Sequence, residues 1–387
     1  MNVLILGAGM MGRAIAYDLC KFSQFDTIVI ADSNKASLIS LKNFLTSKKA
    51  AYLELNVEQK NDVETSFRNT DIVISAIPYQ FNFELTKTAM KTKTHFLDLG
   101  GNNRIVDQQR SLFETARKKN VTVIPDCGLA PGLTSVITRD IVEQSDSVDS
   151  VKIRVGGLPV GPKPPLNYQI VFSPYGLINE YVEDAVVLDH GTILKKKSMT
   201  ELETVEFPKP FGKMEAFFTS GGCSTLPYTY KDTIGYLDYK TIRYPGHCEK
   251  FKTLLELGLG GEKAIRIQDQ LVVPRDFFAQ LLLETLPHNE KDVVLVKVKS
   301  EGEKKGTPYR LEYTLIDYYD EKRNITAMMR TTGYSVSITA QMIEQGMITK
   351  RGVFCSEEIV PCQPFFGELE KRGICISKQM SSVREEL

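Results

Sequence analysis

Gly7, Gly9 and Gly12, followed by an acid at Asp32, are the first residues whose types and spacing could do chemistry. The chemistry is recognition of a pyrophosphate and the ribose beside it. Gly7 permits a tight turn, Gly9 lets a phosphate approach the backbone, and Gly12 lets a helix pack closely on the preceding strand. Met10 and Met11 fall at the helix start, where N–H groups without intrahelical partners face the phosphate charge. Asp32 stands twenty residues after Gly12. A carboxylate there accepts hydrogen bonds from both ribose hydroxyls and repels a 2′-phosphate. The pattern predicts NAD as the cofactor.

The elements around these residues support that reading. Val3–Leu6 is a short apolar run, Ile15, Leu19 and Phe22 follow at helical spacing, and Ile28–Ile30 is a second apolar run ending near Asp32. Strand, glycine turn, helix, strand and acid is the context that makes the motif specific. The alternation continues. Residues 34–47 and 59–67 read as helices, and 51–55, 71–78, 95–101 and 121–126 as further strands. Six strand units in about 125 residues predict a doubly wound parallel sheet, a Rossmann domain over 1–127. Ligands of such sheets sit at the carboxyl ends of the strands. Ser75, Ala76, Ile77 and Pro78 after the fourth strand, and Asp98, Leu99 and Gly100 after the fifth, are therefore expected at the cofactor, with Tyr79 turned to the substrate. Asp126, after the sixth strand, falls on the same edge and opens the run to Gly132, beyond which Leu133, Ile137 and Ile141 stripe a helix.

From about residue 149 the pattern changes. Alternating runs at 151–155, 293–299 and 310–317, an extended stretch at 167–172, and shorter runs at 183–188, 214–218 and 236–243 read as strands. Gly156-Gly157 and the proline-rich 159–165 read as breaks. Helices are expected at 247–257, 274–286 and 333–345. Successive strands joined by turns predict a second α+β domain, 128–332, built on a largely antiparallel sheet. Residues 333–387 are expected to pack back on the first domain.

Composition excludes several classes. The protein has 387 residues, 42% of them hydrophobic, with 48 basic and 48 acidic residues. A balanced charge gives no global field for nucleic acid or an anionic membrane. There is no apolar run of eighteen residues, and the first apolar run is too short for a signal peptide. Seven scattered cysteines without a C-x-x-C pair read as free thiols in a reducing cytoplasm, with no metal site. The expected partners are a small-molecule substrate and a second copy of the protein, as a homodimer.

Three stretches resemble a known family. Asp126-Cys-Gly-Leu-Ala-Pro-Gly132, Lys240-Thr-Ile-Arg-Tyr-Pro-Gly-His247 with Glu249-Lys250-Phe251, and Ile348-Thr-Lys-Arg-Gly-Val353 with Ile359-Val-Pro361 are similar to the saccharopine dehydrogenase-like oxidoreductases, and within them to L-lysine 6-dehydrogenases. Gly156–Pro159, Glu215–Phe217 and Thr219–Gly222 add to the likeness, which runs through nearly the whole sequence. Cys355 departs from it, standing where proline is expected. The resemblance implies NAD-linked oxidation of the lysine side chain to 2-aminoadipate 6-semialdehyde with release of ammonia.

That chemistry makes demands on residue types. Hydride leaves a carbon bearing an amine only when the nitrogen lone pair is free. Deprotonating a lysine amine at pH 7 costs about 4.6 kcal/mol, so a base or a desolvated pocket must supply that. Water must then attack the imine with general-base help. His247, delivered to a helix start by Tyr-Pro-Gly, is kept neutral by the helix dipole and is one candidate; Asp126 is the other. Arg243 suits the α-carboxylate through its bidentate fork, and Tyr168 could line the pocket. His95, His190 and His288 read as structural or solvated, and Lys163 as solvated. A saccharopine dehydrogenase, the nearest alternative, would need further cationic clamps such as Arg154, Arg266 or Arg275. A non-catalytic NAD(H)-binding Rossmann protein is the alternative from another class, and a carboxyspermidine-type enzyme would need the NADPH that Asp32 opposes.

Overall fold

The computed structural model describes residues 1–288 and 290–382, so the last five residues of the tail lie outside the described residues. The protein forms two compact units. One comprises Met1–Asp140 and Met329–Ile374, the other Ile141–Met328 with the residues from Cys375 onward.

The first unit is a Rossmann-like α/β fold built on a seven-stranded parallel sheet. Its strand order is Gly352–Val353, Thr122–Ile124, His95–Asp98, Ile72–Ser75, Asn2–Leu6, Thr27–Asp32, Ala50–Glu54. Six of these strands match the sequence expectation, and the seventh comes from residue 352, pairing with Thr122 and Val123. A two-residue strand carries no periodicity, which is why it is invisible in the sequence. Val3, Leu4, Ile5 and Leu6 are all buried, as a central strand covered on both faces requires. The order reverses between Asn2–Leu6 and Ile72–Ser75, which places the switch point beside the glycine turn. The helix expected at 333–345 runs from Ala327 to Glu344. Its polar residues Thr331, Ser335, Ser337, Thr339 and Gln341 are buried as well as its apolar stripe. Several are satisfied locally: Ser337 and Gln341 donate to Asp18, whose other oxygen accepts from Arg372 Nε at 2.7 Å.

The second unit is organised on a nine-stranded mixed sheet. Along its main path run Glu203–Phe207, Gly212–Phe218, Ile234–Arg243, Ser147–Pro159, Asp292–Lys304, Thr307–Tyr318 and Ile376–Ser382. Ala185–Asp189 also pairs with Ile234–Arg243 and carries Thr192–Lys196 on its far side. Every pairing is antiparallel except that between Ser147–Pro159 and Ile234–Arg243.

Three expectations change here. Gly156-Gly157 does not end a strand. The strand runs through to Pro159, because a Cβ on Gly156 would stand 2.6 Å from Ile242 O and one on Gly157 2.4 Å from Met328 Cε. These glycines serve close approach inside a sheet. The stretch 167–172 is not a strand, and only Ile170 makes a bridge, to His288. The tail divides. Residues to Ile374 group with the first unit, while Ile376–Ser382 pairs with Tyr309–Leu315 in the second.

Candidate active site

In the first unit the glycine turn has the geometry a dinucleotide needs. Gly7 has φ +103°, and a Cβ there would meet Ala76 O at 2.6 Å. A Cβ on Gly12 would lie 1.8 Å from Gly7 O, so turn and helix touch through backbone alone. Gly9 is the N-cap of the helix Met10–Phe22, has no side chain to cap it with, and leaves open space where its Cβ would be. A phosphate can occupy that space and meet the helix N–H groups. Met10 is exposed and Met11 partly so. Asp32 is half-buried, one oxygen accepting from Ala8 N and the other from Asn34 N, both at 2.7 Å. It ties the glycine turn to the end of its strand, and each oxygen keeps a second acceptor position for a ribose hydroxyl. The residues present therefore fit a pyridine dinucleotide.

The neighbouring loops divide into residues that face out and residues that brace. Ala76 and Ile77 are half-buried and Pro78 is exposed. Ser75 is buried and its hydroxyl donates to Asn82 Oδ1, so its side chain serves the loop. Asp98 is also a brace. It is fully buried, and its carboxylate accepts from Gln109 Nε2 at 2.7 Å and from Gly100 N at 2.8 Å. Desolvation raises its pKa while those hydrogen bonds hold it down. Leu99 and Gly100 follow it, half-buried. Tyr79 packs on Gly101, where a Cβ would meet its ring at 3.2 Å. Asp126 is buried, adopts φ +59°, and lies over Gly100, where a Cβ would stand 1.8 Å from Asp126 Oδ1. Gly100 is thus the surface on which the Asp126 carboxylate rests.

In the second unit, Tyr168, Arg243 and His247 come together. His247 is the first residue of the helix His247–Glu256, after Gly246 at φ +87°. The Glu215 carboxylate caps this helix, accepting from Gly246 N at 2.8 Å and Cys248 N at 2.6 Å. His247 is buried between Phe217 and Phe251, whose rings stack on it at 6.4 and 5.6 Å. Nδ1 lies 2.9 Å from Leu166 O and Nε2 3.1 Å from Tyr181 Oη. A carbonyl only accepts, so Nδ1 carries the hydrogen and neutral Nε2 accepts from Tyr181. Arg243 Nε donates to the same hydroxyl at 2.8 Å. The result is a directed relay of hydrogen bonds from guanidinium through phenol and imidazole to a backbone carbonyl. The His247 pKa is pushed down to about 3. Burial is the main cause and Arg243 adds to it, so the direction expected from the helix start is right and its cause is different. With both nitrogens engaged, His247 holds Tyr181 in place and offers no free lone pair to a substrate.

Arg243 is the informative residue. It is 2% exposed, with its guanidinium 4.8 Å from the Tyr168 ring centroid and 5.7 Å from that of Tyr181. Nη1 donates to Ile242 O at 2.8 Å, and Nη2 makes no hydrogen bond among the described residues. The other buried cations of this unit are paired: Arg154 with Asp238 and Glu203, Lys240 with Glu203, Lys297 with Glu312. Arg243 has no carboxylate partner among the described residues. A buried cation with no carboxylate at ion-pair distance is costly, and an anionic ligand relieves that cost.

The other proposed clamps are committed elsewhere or stand apart. Arg154 is held by its two carboxylates, and Arg275 donates to Gly260 O, Asn179 and Glu262. Arg266 is exposed on the hairpin strand Ile265–Ile267. Lys163 is solvated and pairs with Glu290. Tyr181 and the Leu166 carbonyl are site residues that the sequence does not single out, and Glu215 stands out there only within the family-like stretch Glu215–Phe217. The helix Pro174–Val182 that carries Tyr181 has one signal, Pro174 at its first position.

Two family models match the protein. The saccharopine dehydrogenase NADP binding domain matches residues 3–124, and the saccharopine dehydrogenase C-terminal domain residues 128–374. Saccharopine dehydrogenase [NADP(+), L-glutamate-forming] of Saccharomyces cerevisiae is 23% identical over 98% of this sequence and 99% of its own length. The mitochondrial alpha-aminoadipic semialdehyde synthase of Rattus norvegicus is 21% identical over 98% of this sequence and 48% of its own length. Among solved structures, apo saccharopine dehydrogenase (L-Glu forming) of Saccharomyces cerevisiae has a TM-score of 0.80 at 22% identity, covering 98% of this protein and 99% of that one. The likeness shows a shared fold.

Proposed function

The protein belongs to the saccharopine dehydrogenase family, and from that premise we propose that it oxidises the terminal carbon–nitrogen bond of L-lysine with NAD, giving 2-aminoadipate 6-semialdehyde and ammonia. The observation that carries the reading is Arg243, a buried guanidinium with an unused edge and no carboxylate partner among the described residues. It suits the α-carboxylate of one amino acid. Saccharopine carries further carboxylates, and Arg154 and Arg275, the cations that could meet them, are taken up by protein acceptors. The nicotinamide, when bound, accepts the hydride. The protein's own share is to hold the carboxylate at Arg243, to fix Arg243 through Tyr181 and His247, and to keep water away with Phe217, Phe251 and Tyr168. Asp126, at the carboxyl edge of the first unit's sheet, is the residue we assign to the attacking water.

NAD is preferred in this reading although the relatives are named for NADP(+). Asp32 is the reason, since a 2′-phosphate would bring its charge against a carboxylate. The test is purified protein with each nucleotide and with lysine or saccharopine, followed by absorbance of the reduced nucleotide. NAD with lysine gives the signal, and Asp32→Ser narrows the preference about tenfold, the scale of one 1.4 kcal/mol interaction. Turnover of saccharopine but not lysine selects the second reading, which the full-length match to saccharopine dehydrogenases favours.

A further inference from the structure

Oxidation of an amine needs a group that takes the ammonium proton before hydride leaves, and most of the titratable groups around Arg243 are already committed. His247 has both nitrogens engaged. Tyr181 is shared between Arg243 and His247. Burial pushes the Tyr168 hydroxyl up to about 12 and raises Tyr239 further, so both keep their protons near neutrality. Asp238 is held by Arg154, and Glu203 by Arg154 and Lys240. Glu215 caps a helix, and Glu183 accepts from Ser220. Glu180 is left.

Glu180 sits one residue before Tyr181 on the helix Pro174–Val182, anchored by Ser220 N donating to its backbone carbonyl at 2.9 Å. The residue is half-buried, and its carboxylate makes no hydrogen bond among the described residues. Its neighbour Tyr181 takes the hydrogen bond of Arg243 Nε at 2.8 Å, so the helix sets Glu180 beside the cluster that holds this guanidinium, and its charge acts on Arg243, Tyr168, Tyr181 and Tyr239. A cation and an uncommitted carboxylate on one cluster match the two ends of an amino acid with a cationic side chain.

We infer that Glu180 is the proton acceptor for the substrate's side-chain ammonium, with Arg243 holding the α-carboxylate. The inference rests on the lysine reading above. The carboxylate takes one proton from R–CH2–NH3+, leaving a neutral amine and a carboxylic acid. An oxidised nicotinamide, when bound, would accept hydride from the same carbon, and the nitrogen lone pair would then form the C=N bond of R–CH=NH2+. Glu180 returns its proton to solvent, to which it is partly open. Desolvation raises its pKa to about 7, Arg243 holds it down and Glu183 adds to the rise, a balance that suits proton exchange near neutral pH.

The test is the pH profile of kcat/KM for lysine with NAD in wild type, Glu180→Gln and Glu180→Asp. Wild type should gain activity with rising pH through about 7, as Glu180 loses its proton. The groups facing it are Arg243, Glu183, Tyr168, Tyr181 and Tyr239, and burial keeps the three tyrosine hydroxyls protonated well above that range. Glu180→Gln should lower kcat about 10²–10⁴-fold and lose that limb. Glu180→Asp should keep the limb at reduced rate, and unchanged NADH binding shows that the variants are folded. If Glu180→Gln keeps its rate, or raises KM alone with the limb intact, the assignment is overturned while the lysine reading stands. If wild type oxidises neither lysine nor saccharopine, the functional reading fails and takes the assignment with it.

Discussion

The glycine turn at residues 7–12 and the cluster around Arg243 recognise ligands by opposite means. The turn works by what is missing, since open space at Gly9 and backbone contact between Gly12 and Gly7 create room for a phosphate. The cluster works by what is present: a guanidinium, two phenols and an imidazole packed until only one edge of Arg243 is unused. A site made of backbone tolerates no added atom, whereas a site made of side chains tolerates small changes and fails when a charge is removed. Substitutions on the two sides should therefore differ in kind as well as in size.

The largest effect is expected from Gly12→Val. Its side chain begins 1.8 Å from Gly7 O, so turn and helix must part. Nucleotide affinity, read by NADH fluorescence, should fall at least about 100-fold, with roughly 1–3 kcal/mol lost from stability. Gly9→Ala sharpens the point. Its methyl meets no protein atom, so thermal unfolding should stay put while binding weakens. Equal affinity in both variants breaks the backbone half of the comparison.

Next is Arg243→Ala. A charge-assisted hydrogen bond contributes about 1.5–3 kcal/mol, so KM for lysine should rise about 10–150-fold with nucleotide affinity unchanged. An unaltered KM would mean that the carboxylate binds elsewhere.

A smaller effect separates the regions by pH. His247 is pushed down to about 3 and His95, which accepts from Thr122 N, to about 4, both chiefly by burial. Each folded pKa lies below the unfolded value near 6.5, so below that pH the unfolded state binds protons the folded state does not. Stability is full above pH 6.5 and falls as pH drops toward 4 for His95 and toward 3 for His247. At pH 5 the His247 share is about 2 kcal/mol. Urea unfolding at pH 7.5 and 5 should show the fall, and His247→Gln should remove its part of the slope.

The smallest effect is expected for Cys127→Ala. Burial raises the thiol pKa well above its usual value, so no thiolate forms there. Turnover should stay within about threefold, and a hundredfold loss would reveal a covalent role.

How far each region is legible in the sequence follows from the same contrast. Gly7, Gly9, Gly12 and Asp32 lie within one strand–helix–strand unit, where spacing alone dictates the turn. The Arg243 cluster gathers Leu166, Tyr168, Tyr181, Phe217, His247 and Phe251 from four separate segments, and no local period announces their meeting. Arg243 and His247 can be found because they share one short stretch. Tyr181 escapes notice because its helix follows a turn-rich stretch that contains no regular element. Gly156-Gly157 misleads because glycine reads as a break, although here it lets Ile242 and Met328 come close. Asp98 and Ser75 fall at the carboxyl ends of their strands, but position along a sequence does not say which way a side chain turns.

The strand Gly352–Val353 has a consequence for the order in which the molecule can be made. Six strands of the parallel sheet are complete once Ile124 has been synthesised, and the seventh belongs to a segment that follows the whole of 141–328. A nascent first unit therefore waits, with Thr122–Ile124 unpaired on its outer side, while another unit is translated. Non-local pairing of this kind is slow, and an open strand edge invites wrong partners during the delay. Refolding of the full protein should show a late phase, after most secondary structure has formed, in which the amides of residues 352 and 354 become protected against hydrogen exchange as they bond to Val121 and Val123.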